Sequence, residues 1–384
     1  MSKDVIIVGG GVVGCSIALK LAEVGLSVAV IERGRVGCES SRAAAGMLAA
    51  QSETSGVGPF FDLCLQSRSM YREFAAHLHE VSGINVEYKD EGLLCVTLEG
   101  EDLEESMQWV SWQTEAGLAV ERLSSDATCE FEPAVTESVA GAVFIPGDHQ
   151  VENRRLMDAL DIAIRRAGVQ LIEGTEVSAL ATERSRVIGV VSGGQRLDAG
   201  IIVVAAGAWS SRLLRPLGLN VKVVPARGQM IAVKGRGCPI TRVVHSRKVY
   251  LVPRRDGRIL IGATVEYAGF EKGVTVDGIS SMLSAALEVV PSLRDFEVTE
   301  VWSGLRPDTG DHFPVIGRGA EGLVLATGHF RNGILLAPVT AELIAELIST
   351  GRTPDPLSTF GSERFEASHA APPGETATSS PDIV

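Results

Sequence analysis

The stretch Val5-Ile6-Ile7-Val8-Gly9-Gly10-Gly11-Val12-Val13-Gly14 decides the fold. Its apolar, mostly β-branched opening reads as a short buried strand, and the glycines read as the turn that follows. Val13, Ile17, Leu21 and Val24 then recur at helical spacing until Gly25. Gly9, Gly11 and Gly14 therefore form GxGxxG between a strand and a helix, the setting in which that motif cradles a dinucleotide. The glycines permit a tight turn, close approach to a pyrophosphate and close helix–strand packing. Val12 and Val13 open the helix, whose free amides and positive dipole end face the phosphates. A second β-branched run, 28–31, ends in Glu32, about 20 residues beyond the glycines, where a carboxylate accepts hydrogen bonds from a ribose.

Outward from this βαβ unit, a periodic segment 62–81 predicts a long helix with Leu63, Ser67, Met70, Phe74 and Leu78 on one face. The character changes over 86–145, where short alternating strands (92–98) accompany an acidic helix around Glu101 to Trp112. The α/β rhythm returns with a helix (155–167), a strand (169–173), a hairpin (177–195) and an apolar strand (201–206). At Pro225 the chain leaves again into strands 230–233, 249–253 and 259–263 and a helix near 280–290. A last strand, 323–327, leads through Gly328 into a helix over 334–348.

This interleaving predicts a discontinuous α/β domain, Rossmann-like and of the glutathione-reductase type, from residues 1–85, 150–224 and 312–365. Its partner, an α+β substrate domain with an antiparallel-rich sheet, takes 86–149 and 225–311. Residues 366–384, rich in Pro, Ala, Ser and Thr, read as a disordered tail.

Composition fits two soluble domains: 384 residues, 45% hydrophobic and 22% charged. Thirty-five basic against 48 acidic residues leave a net charge of −13, which repels nucleic acid and anionic membrane surfaces. Six scattered cysteines without CxxC spacing read as reduced thiols in a cytoplasmic protein, with neither disulfide nor metal. No apolar stretch approaches the roughly 18 residues a membrane span needs. His77, His79, His149, His245 and His312 read as core or surface residues, and the acidic run at 101–105 as a solvated face.

Ser40 to Leu48 is a run of small residues that lets backbone pass close to a flat ring, with Arg42 able to meet a phosphate. Arg306, flanked by Val301, Leu305, Phe313 and Val315, points from a strand into an enclosed site. Its planar fork matches a carboxylate; a structural salt bridge is the other use of such a residue.

GGGVVG (9–14), SSRAAAGML (40–48), AAGAWS (205–210), GLRPDTGDHFPVIG (304–317) and GHFRNGILLAP (328–338) together resemble the glycine oxidases of the thiamine pathway, within the D-amino-acid oxidase and sarcosine oxidase superfamily. The resemblance runs to about Phe365 and implies FAD rather than NAD. It places the adenine against the backbone of Val177, and other parts of the cofactor near Ser40, Ser41, Ala206, Gly207, Trp209 and Gly304. The isoalloxazine would lie between Ala45, Gly46, Met47 and Leu48 on one side and His329, Phe330 and Arg331 on the other. Asn332, Gly333, Ile334 and Leu335 continue that second side, and the helix starting at Gly333 aims amides at a ring oxygen. Covalent-flavin relatives carry a cysteine where Ser303 stands here, and no cysteine follows Cys238, so the FAD is expected to be noncovalent.

The same resemblance makes Arg306 the anchor of a substrate carboxylate, Tyr250 the hydroxyl that shares it and Arg331 a residue of the rim. Met47, Lys248 and Val265 would shape the substrate pocket, Lys248 replacing a histidine found in some glycine oxidases. The implied reaction is oxidative deamination of glycine, sarcosine or small D-amino acids. Hydride passes to the flavin, O2 becomes H2O2, and the imine feeds thiazole synthesis in a homo-oligomer, a tetramer by resemblance. A D-amino-acid dehydrogenase passing electrons to quinone and a flavoprotein subunit without turnover stand as alternatives.

Overall fold

In a computed structural model, which describes residues 3–102 and 110–367, strand Lys3–Val8 occupies the centre of a mixed eight-stranded sheet. The order is Val315–Ala320, Leu323–Thr327, Gln195–Val204, Lys3–Val8, Val28–Ile31 and Gln170–Ile172, with the hairpin Val177–Glu183/Arg186–Ser192 attached to Gln195–Val204. Lys3–Val8 runs parallel to both neighbours, so its side chains are buried on both faces. Val5 and Ile7 join the core beneath the helices, while Ile6 and Val8 enter the core on the other face, as a period of two requires.

Helices Val12–Glu23, Pro59–Ser82, Asn153–Arg166 and Gly333–Thr350 pack over the first face. Gly333–Thr350 corrects one expectation: its 18 residues have a mean hydropathy of 1.5, enough in length and composition to cross a membrane. It is 67% buried against Val12–Glu23 and Pro59–Ser82 and serves as a core helix. Pro338 inside it cannot donate to the carbonyl of Ile334. The Tyr71 hydroxyl donates to that oxygen instead at 2.7 Å, and Ser67 Oγ donates to Leu335 O at 2.6 Å. The long helix 59–82 is thus coupled to the helix start that borders the site.

The second eight-stranded sheet takes its strands from both excursions of the chain: Glu297–Asp308, Val224–Lys234, Arg258–Gly262, Tyr250–Pro253, Val243–His245, Leu93–Leu98, Val139–Ile145 and Glu121–Ser124. All pairings are antiparallel except Val243–His245 with Leu93–Leu98. Helix Val276–Val289 closes the core on one face. Strand Val224–Lys234 is much longer than its apolar run 230–233, because Glu297–Asp308 pairs along its whole length. Of the expected acidic helix, 103–109 lie outside the described residues and Ser111–Glu115 is helical. The expected disordered tail falls almost wholly on 368–384, also outside them.

Candidate active site

A cavity of about 450 Å³ is lined by residues of both sheets. Gly9, Gly11, Val12, Val13, Glu32 and Val177 form one part of its wall. Gly9 adopts φ 109°, and a Cβ there would run into the Ala205 carbonyl. Gly14 lies behind this wall, where a Cβ would strike the carbonyl of Gly9; its part is helix–strand packing. Glu32, 8% exposed, accepts from Gly10 N at Oε2 and from Gly34 N at Oε1, both at 2.8 Å. Its carboxylate is thereby held at the wall by the glycine turn itself.

Ser40, Ser41, Ala45, Gly46 and Met47 line the next stretch, opposite Ala206, Gly207, Trp209 and Gly304. Ser41 Oγ accepts from Val12 N at 2.9 Å, and Ser40 Oγ donates to Leu305 O at 2.5 Å, so this segment bridges the glycine turn and the strand of Arg306. His329, Phe330, Arg331, Gly333 and Ile334 complete the wall.

Several expected residues lie elsewhere. Arg42 turns outward to Asp158 at 2.6 Å. Leu48 follows Met47 on a strand pairing with His149–Gln150, and alternation sends it into the core. Leu335 packs in that core too, and Asn332, at the helix start, is buried off the wall. Lys248 sits in the turn where Ser246 N donates to Val249 O; the alternation that faces Tyr250 inward stops there, and Lys248 pairs outside with Glu288 at 2.9 Å. Val265 is 37% exposed and is not among the residues that line the cavity.

Arg306, Tyr250 and Arg331 do come together on the wall, with Met230. Arg306 Nη1 donates to Thr264 O at 2.9 Å, and its guanidinium packs so close to Gly228 that a Cβ there would collide with it. No carboxylate forms an ion pair with it among the described residues, and burial pulls its pKa down. Tyr250 donates to Met230 Sδ at 3.4 Å; burial raises its pKa while Arg306 opposes the rise, leaving a protonated hydroxyl at neutral pH.

Glu53 was not legible in the sequence. It lines the cavity and pairs with Arg331 through Nε–Oε2 at 2.6 Å and Nη2–Oε1 at 2.7 Å. Burial, the largest single influence, disfavours the Arg331 cation, but the charge and hydrogen bonding of Glu53, with Tyr250, together outweigh it and the Arg331 pKa is raised. Buried Asp148 fixes the segment before Glu53, accepting from Gln51 N, Ser52 N, Ser52 Oγ and Arg68 Nη1 at 2.7–2.9 Å.

Two histidines near the site are kept neutral by burial. His329 shares a hydrogen bond with Thr340 Oγ1 at 3.1 Å and its pKa falls to about 3; His245, stacked on Tyr250, falls to about 4. Their ordinary value is 6.5, so between pH 6.5 and about 4 the unfolded chain binds more protons than the folded one. Stability is complete above about pH 7 and falls with acidification through that window, by about 1 kcal/mol or more per histidine. Thermal melts from pH 7.5 to 4 should show this decline, and His329→Asn should flatten it. A variant with an undiminished slope would remove His329 from the account.

A bare glycine turn at a helix start, an acid held beside it and a long cavity ending among arginines fit a dinucleotide with a reacting ring. The family model for FAD-dependent oxidoreductases matches residues 4–347. The chain belongs to the FAD-dependent oxidoreductase family. This oxidoreductase is 35% identical over 369 residues to glycine oxidase of Bacillus licheniformis, covering 95% of this chain and 98% of that one. It is 37% identical to bifunctional protein ThiO/ThiG of Synechocystis over 95% of its own length, and spans 54% of that protein. The crystal structure of glycine oxidase from Geobacillus kaustophilus superposes with a TM-score of 0.90 at 36% identity, covering 94% of this chain and 98% of that one. FAD is its cofactor, and no cysteine is among the described residues that line the cavity.

Proposed function

We propose that this oxidoreductase deaminates glycine and similar small amines or amino acids, sarcosine and small D-amino acids among them. The observation that carries the reading is Arg306, a guanidinium with no carboxylate partner among the described residues, beside the Tyr250 hydroxyl in the cavity that also holds the glycine turn. When bound, FAD would supply the redox chemistry, hydride acceptance from the substrate Cα and return of the two electrons to O2 as H2O2. The two parallel N–H groups of Arg306 take the substrate carboxylate, and Tyr250 donates a third hydrogen bond. Met47 and Met230 limit the room around Cα, a weak filter of roughly 1 to 3 kcal/mol per methylene. Glu53 is committed to Arg331 and His329 to Thr340, so the substrate amine binds already neutral. The resemblance to ThiO/ThiG supports delivery of the imine to thiazole synthesis. A cytoplasmic homo-oligomer completes this reading.

The test is anaerobic addition of glycine followed by air. Loss of the yellow absorbance, its return in air and stoichiometric peroxide are expected. Reoxidation by quinone alone would make the enzyme a dehydrogenase, and no bleaching with any small amino acid would overturn the reading. Acid or heat precipitation should leave FAD in the supernatant. Glu32→Arg, which puts a cation where the ribose acceptor stands, should weaken FAD retention by tenfold or more in an equilibrium dialysis measurement; unchanged retention would take Glu32 out of the site.

A further inference from the structure

Arg254 follows strand Tyr250–Pro253 and is 4% exposed. Its Nη1 donates to Val151 O at 2.9 Å and Gln150 Oε1 at 3.4 Å, and its Nη2 to Ala45 O at 2.5 Å and Asn153 Oδ1 at 3.2 Å. All four acceptors are neutral. No carboxylate forms an ion pair with it among the described residues, and its buried Nε has no hydrogen-bond partner. Burial lowers its pKa only to about 10, so the cation persists at neutral pH, with Glu152 and Arg258 acting on it in opposite senses. A buried, unpaired cation is costly. Tying four neutral acceptors together does not require a charge, since amide donors do the same.

The location accounts for the charge. Ala45, whose carbonyl Arg254 holds, lines the cavity with Gly46 and Met47. A Cβ on Gly46 would lie 3.3 Å from Arg254 Nη2, so the guanidinium stands one residue's thickness behind the wall. Ala45 and Met47 pack with Met230 and Tyr250, which puts this wall at the Arg306 end of the cavity. The glycine turn and Glu32 hold the nucleotide end; the reacting ring has to reach the Arg306 end to meet the substrate. Two electrons and one proton convert the neutral oxidised ring into its reduced anion, and a fixed cation nearby favours that side.

We propose that Arg254 is a positioning residue with an electrostatic part: it fixes the Ala45–Met47 backbone and, from behind it, raises the midpoint potential of the bound flavin. This rests on FAD occupying the cavity and not on which amine is oxidised. The experiment is anaerobic titration of the FAD-loaded Arg254→Gln, Arg254→Met and Arg254→Lys variants with dithionite against a reference dye, no amino acid present. At a given dye potential the reduced-to-oxidised flavin ratio should fall about tenfold in the Gln and Met variants, about 30 mV for a two-electron couple, and stay within threefold of wild type in the Lys variant. A Gln or Met variant with the wild-type ratio, or a Lys variant shifted as far as Gln, overturns the proposal. So does loss of FAD, read from the flavin absorbance per protein, from the Lys variant as well as from both neutral ones, because the charge would then count for nothing and Arg254 would be a tie alone. Since no substrate enters the titration, failure of glycine to bleach the wild type leaves this result standing.

Discussion

Arg306→Ala is expected to lose glycine turnover almost completely while retaining FAD. The substrate carboxylate would sit in the cavity without the fork that matches it, at a cost of about 3 to 5 kcal/mol, or roughly 10²- to 10⁴-fold in kcat/KM. Arg306→Lys should recover part of this, because a point charge cannot make two parallel hydrogen bonds. Simple amines without a carboxylate should lose little. FAD content should stay near wild type, since the glycine turn and Glu32 are untouched. Steady-state peroxide assays on glycine and on a plain amine decide the matter: near-normal efficiency of the alanine variant on glycine would place the carboxylate elsewhere.

Glu53→Ala is expected to be the most destabilising single change near the site. It strands the Arg331 cation, which is 14% exposed and whose raised pKa depends on Glu53. Breaking a buried pair from one side costs about 3 to 5 kcal/mol. The double variant Glu53→Ala/Arg331→Met should recover much of that loss, since no charge is then left unpaired. Urea melts of the three proteins measure it, and a single variant as stable as wild type would show the pair to be solvated and weak.

The glycine turn, Glu32 and Arg306 were legible because each sits in a local pattern whose chemistry is self-contained: strand, turn, helix, or a polar residue amid apolar alternation; Tyr250, an aromatic on an apolar strand, was reached only through the family resemblance. Lys248 and Val265 entered the pocket only through the family resemblance, and both lie off the cavity lining: Lys248 sits in a turn and pairs with Glu288, and Val265 stands past a strand end, 37% exposed. Leu48 shows the converse, since proximity to Met47 in the chain means opposite faces on a strand. Glu53 lies among Ser, Thr and Gly with no period, and its role exists only because Asp148, 95 positions on by numbering, locks the segment before it. Arg254 was unreadable for the same reason: all its acceptors come from other parts of the chain.

The centre of the first sheet has a consequence for how the protein is made. Lys3–Val8 gains one neighbour, Val28–Ile31, almost at once, but the other, Gln195–Val204, is nearly 200 residues away, and helix Val12–Glu23 is covered by Gly333–Thr350. On the ribosome, the dinucleotide cradle therefore cannot close until almost the whole chain has emerged. Until then one edge of an apolar strand stays open, a state prone to association. Translation stopped before residue 333 is expected to yield a fragment that leaves helix Val12–Glu23 uncovered and loses the stabilisation a bound cofactor would give it.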